Sequence, residues 1–109
     1  MLRVSARRTG RTIDLRAIVD PSVDSGLAAG GELLAFTDAA IDQDAGSMAE
    51  ARRRLVETAG EEAALRAAAV AGNFQMMNRL LDAIGVRVRR SSMKLAEELG
   101  LSVPDHLHP

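Results

Sequence analysis

Gln75, Asn78, Arg79 and Asp82 place two amides, a guanidinium and a carboxylate close together in the chain. At about 100° per residue of a helix they gather on one side. An arginine beside amides and a carboxylate can hold a small carboxylate ligand, the guanidinium giving a forked contact and the amides fixing orientation. The spacing also has a plainer meaning. Gln75–Arg79 and Asn78–Asp82 are i,i+4 neighbours, which line solvated faces for a few tenths of a kcal/mol each. The four form the candidate ligand-binding set, with the solvated face favoured, and no catalytic residue is assigned.

Other chemistry-bearing groups are fewer. Asn73 projects into an apolar arc, where an unpaired amide is costly, so it is read as a structural polar group fixing a backbone or the register of a helix partner, with ligand contact as the alternative. Its replacement by alanine is expected to destabilise the fold or its assembly. His106 and His108 have the i,i+2 spacing that chelates metal in an extended chain, but two ligands make an incomplete set and no metal is assigned. Arg52-Arg53-Arg54, and Arg87, Arg89 and Arg90 with Lys94, are able to touch phosphate. A formal charge of −1, only two aromatic residues (Phe36 and Phe74) and no recognition-helix motif argue against nucleic acid. There is no cysteine, which excludes thiolate nucleophiles and zinc–thiolate sites. No Gly-rich phosphate loop or nucleophile elbow occurs, and no cofactor is expected.

Helices must position these groups. The 109 residues are 47% hydrophobic but 2% aromatic, so the core is built from Ala, Leu, Val, Ile and five Met. Such a composition suits close helix packing. Residues 1–26 form an N-terminal arm and linker, in which Leu2, Val4, Ile13 and Leu15 are scattered among arginines and only Ile13-Asp14-Leu15-Arg16 alternates. Two short strands about Thr9-Gly10 and a mobile basic arm fit equally. Residues 27–100 form the helical domain. Leu33, Phe36, Thr37, Ala40 and Ile41 make an amphipathic stripe from Glu32 to about Asp44. Ser47 and Glu50 have capping-box spacing for a second helix that runs to Ala59 and stops at Gly60. The third helix spans about Glu61 to Ile84, with Gly85 as its stop. Its residues Ala63, Ala67, Val70, Phe74, Met77, Leu81 and Ile84 alternate steps of four and three, a pattern expected to be packed. Gly72 within it implies a close approach of a neighbouring backbone. A fourth helix, about Ser92 to Leu99, is expected to be capped by Ser91 and stopped by Gly100. Residues 101–109 form a loosely held tail.

Two stretches, Gly31-Glu32-Leu33-Leu34-Ala35-Phe36-Thr37-Asp38-Ala39-Ala40 and Ala68 to Val86, resemble the C-terminal part of the alkylhydroperoxidase D-like, or carboxymuconolactone decarboxylase-like, helical domains. The closing helix of that family carries Asn-Phe, then Asn-Arg, then an apolar stretch with Asp-Ala and Gly. Here these are Asn73-Phe74, Asn78-Arg79 and Asp82-Ala83-Ile84-Gly85. The two stretches and the helices between them cover about half the chain. In the peroxidase branch a Cys-x-x-Cys pair works with a His and a Glu on an earlier helix. Nothing here matches that segment, so thiol peroxidase activity is excluded. The decarboxylase branch does not depend on the cysteine pair.

The expectation is therefore an all-α fold, a small bundle of about four helices with an irregular or short-hairpin basic N-terminal segment. Its expected role is that of a non-catalytic helical assembly module that forms homo-oligomers. The alternative is a thiol-independent enzyme or a small-carboxylate-binding protein. No stretch has the length of a membrane span, and cytoplasmic location is the default.

Overall fold

The computed structural model describes residues 7–109, so Leu2, Arg3 and Val4 of the N-terminal segment lie outside it. The described residues are all-α. They form four helices, α1 (Gly30–Asp42), α2 (Ala45–Ala59), α3 (Glu61–Ala83) and α4 (Arg90–Glu98), with short 3₁₀ turns at Leu15–Ile18 and Asp105–Leu107 and no strand. Internal contacts divide the chain into two compact units that meet in sequence at Gly72 and Asn73, within α3.

In the first unit, before α1, Arg7 and Arg8 are helical, Thr9 and Gly10 form a turn, and the chain from Arg11 is irregular apart from the 3₁₀ turn. Asp14 is why: its carboxylate accepts the Arg16 amide at 3.0 Å and grips the Arg16 guanidinium, with Nη2 at 2.6 Å. That local bonding starts a 3₁₀ turn in place of a strand ladder. The Asp14 amide donates to the Ser25 carbonyl at 3.0 Å, and Leu15 and Ala17 are buried. Gly26 closes the loop at φ +80°, with the Thr12 carbonyl where a side chain would otherwise sit. Only glycine meets both conditions. The short-hairpin option is thereby ruled out among the described residues: four alternating residues are outcompeted by one capping carboxylate.

α1 begins at Gly30, two residues before the expected Glu32, and ends where Gln43 turns left-handed at φ +57° and donates to the Ala39 carbonyl. α2 follows at once. Its cap is Asp44 rather than Ser47: the Asp44 carboxylate accepts the Ser47 amide at 3.0 Å and the Ser47 hydroxyl as well. Ser47 thus lies inside the first turn, and Glu50 instead meets the Arg53 guanidinium at 2.7 Å. The two Ser47 bonds hold the Asp44 carboxyl below its ordinary pKa. Asp44→Ala should lower the melting point by several degrees, as loss of a helix cap does. Because the folded-state pKa is depressed, the ionised cap contributes fully above about pH 4, the unfolded value. That contribution is lost as pH falls through the folded value, so the gap between wild type and variant should close in acid. Thermal melts over a pH series check both points.

The core lies among α1, α2 and the start of α3. Phe36 and Ala39 meet Ala51, Leu55 and Ala64, with Leu33, Met48, Val56 and Ala67 packed against them. Among the described residues Leu55 is the one large side chain with no exposed surface. Ile41, part of the expected α1 stripe, is exposed.

The expected packing of α3 is not found. Of its residues only Ala64 is buried, while Leu65, Val70, Phe74, Met76, Met77, Leu80 and Leu81 are exposed, as is Ile84 just beyond it. Gly72 has open space where its side chain would be, so no neighbouring backbone approaches there. Periodicity shows which residues share a face, not whether anything covers it. Gly72→Ala should therefore stabilise the chain by about 0.4–1 kcal/mol, through higher helix propensity and a less free unfolded chain. A chemical denaturation curve with an unchanged slope and a higher midpoint would show it.

The second unit holds the end of α3, the connector 84–89, α4 and the last residues, and it contains no buried residue. α4 starts at Arg90, so Ser91 lies within the helix. The preceding residue, Arg89, makes no side-chain cap bond. Residues 101–109 are tied down more than expected: the Val88 amide donates to the Leu107 carbonyl at 2.8 Å, and a His108 ring nitrogen lies 3.0 Å from the Val103 carbonyl.

Candidate functional site

Three of the four residues singled out for ligand contact come together. Asn78, Arg79 and Asp82, on the last turns of α3, line an open recess of about 740 Å³ in the second unit. Gln75 is half-buried and lies off that lining. The opposite walls are Arg87 and Arg89 from the connector, Ser92 from the first turn of α4 and His106 from the terminal 3₁₀ turn. Val86, Val88 and Leu107 supply apolar surface. The Val88–Leu107 backbone bond closes the recess by holding the chain end beside the connector. Asp82 Oδ1 lies 3.6 Å from His106 Nε2, an ion pair when the imidazole is protonated.

The i,i+4 partnerships assumed for Gln75–Arg79 and Asn78–Asp82 do not appear as hydrogen bonds. Asn78, Arg79 and Asp82 are exposed, as the solvated-face reading has them. Asn73, expected to be a buried structural amide, is exposed, and its one bond is a weak contact to the Met77 sulfur at 3.8 Å. Nothing buries it because the apolar arc around it is itself uncovered, so little destabilisation should follow its removal. Sequence reasoning missed Arg87, Arg89 and His106 as companions of the α3 strip. The available signal was the two-residue spacing of Arg87 and Arg89 in a non-helical connector, which sends both side chains to one side.

In the other basic cluster, Arg53 is the member held in ion pairs. Arg53 bridges Glu50 at 2.7 Å and Glu57 at 2.5 Å, and both carboxylates raise its pKa. Among the described residues no group of three or more His, Asp or Glu side chains could hold a metal ion, and no helix is long and apolar enough to cross a membrane. No protein-family model matches the chain, and neither a curated protein nor a solved structure matches it.

Proposed function

We propose that this chain is a non-catalytic assembly module in which the exposed face of α3 pairs with the same face of a second copy. The observation that carries this reading is the uncovered run Val70, Phe74, Met77, Leu81 and Ile84. Its alternating steps of four and three are those of a helix seam that inserts side chains between those of a facing helix. Phe74, more than half exposed at 56%, is one of only two aromatic residues in the chain. Between residues 67 and 86 the only charged side chains are Arg79 and Asp82, one of each sign and both off the seam. A second copy therefore brings no like-charge repulsion to it.

Magnitudes point to reversible pairing. Covering a half-exposed large apolar side chain yields about 1 kcal/mol. Five from each copy give on the order of 10 kcal/mol, similar to the 4–15 kcal/mol cost of association. Assembly should thus depend on concentration. Solution mass by light scattering over a roughly hundredfold concentration range, with a parallel thermal melt, tests it. A mass above the monomer, with a melting point that climbs with concentration, supports pairing, and a monomer with a concentration-independent melt overturns it.

The resemblance of Asn73-Phe74, Asn78-Arg79 and Asp82-Ala83-Ile84-Gly85 to the alkylhydroperoxidase D-like helix fits this reading, as a cysteine-free relative that keeps the helical scaffold and works in the cytoplasm. A second reading, a thiol-independent enzyme or small-ligand binder of the carboxymuconolactone decarboxylase-like group, is favoured by the recess at Asn78, Arg79 and Asp82.

A further inference from the structure

Among the described residues, three arginines are held by carboxylates. Arg16, Arg53 and Arg66 each meet a carboxylate within 2.7 Å. Arg79, Arg87 and Arg89 form no ion pair among the described residues, yet all three line the one recess. Asp82 is the only carboxylate on its walls, and it faces His106. Three guanidinium groups against one carboxylate leave a net excess of two positive charges. The first turn of α4 adds to that field: it has no side-chain cap, and Ser92 from that turn also lines the recess.

We propose that the recess binds a dianionic phosphate group borne on a small organic body. Guanidinium forks match the oxygens of a phosphate, and the net charge of the walls matches a dianion better than a single carboxylate. Val86, Val88 and Leu107 meet the organic body. The inference rests on the reading of the recess as a ligand site and does not depend on pairing through α3.

The test uses the full chain with phenyl phosphate, inorganic phosphate and benzoate as probes, at ionic strength matched with sodium chloride. Amide NMR shifts are followed, and solution mass is recorded in the same samples so that loss of pairing is not mistaken for loss of binding. Phenyl phosphate should give saturable shifts at Arg87, Arg89, Ser91 and Ser92, with inorganic phosphate binding more weakly at the same amides. Arg87→Gln and Arg79→Gln should each weaken binding about tenfold, the size of one charge-assisted hydrogen bond. Arg87→Lys should weaken it less, and Arg52→Gln, outside the recess, should leave it unchanged. Shifts that do not saturate or that chloride reproduces overturn the proposal. So does benzoate binding as tightly as phenyl phosphate, or Arg52→Gln weakening binding as much as Arg87→Gln.

Discussion

Leu55→Ala is expected to cost the first unit about 2–5 kcal/mol, enough to leave a large fraction of the chain unfolded at 37 °C. Among the described residues Leu55 is the only large side chain with no exposed surface, and it sits where Phe36 and Ala39 of α1 meet Ala51 of α2 and Ala64 of α3. Those neighbours are mostly alanines. The alanines have nothing to swing inward, while Leu33, Met48 and Val56, packed on the cluster, can take up part of the lost volume, which places the cost near the middle of the range. Urea titrations followed by circular dichroism should show a lower midpoint with little change in slope. A loss below about 1 kcal/mol would mean that cohesion does not reside in the α1–α2 packing.

Leu81→Glu should have the opposite character, leaving each chain folded while abolishing pairing. The Leu81 side chain is exposed in the single chain, so a carboxylate there remains hydrated and helicity is retained. In a paired seam the same carboxylate would be buried without a partner, a cost of several kcal/mol. The dissociation constant should rise by at least about a hundredfold. Met77→Glu should act in the same way. Leu65→Glu is the control. Leu65 is more exposed, at 71%, but it lies about half a turn away from the seam. If Leu65→Glu disperses the assembly as effectively as Leu81→Glu, the pairing surface is not this one.

The contrast between these residues also marks what could be read without coordinates. The ends of α2 and α3 were visible in Gly60 and Gly85, because a left-handed residue after a helix is mostly glycine. The start of α2 was not. Asp44 and Ser47 are both good caps three residues apart, and the choice depends on which leaves helical backbone angles, which the intervening Ala45-Gly46 leaves open. Phe36 was placed in the core by its stripe. Phe74 has an equally regular stripe, yet it is exposed: burial needs a neighbour, and the sequence of one helix does not supply it. For the recess, Asn78, Arg79 and Asp82 announced themselves by helical spacing. His106 is distant in sequence and is brought near Asp82 by a fold of the chain end that no periodicity encodes.

The order of these features along the chain has a kinetic consequence. The core cluster runs from Phe36 to Ala64, with Ala67 packed on it, and α1 and α2 are separated only by Gln43 and Asp44. Contacts so local in sequence close small loops and form fast. During synthesis from the N-terminus, every residue of that cluster is made before Val70, where the uncovered run begins. Each nascent chain can therefore close this core before residues 70–84, the longest uncovered apolar run, have been made.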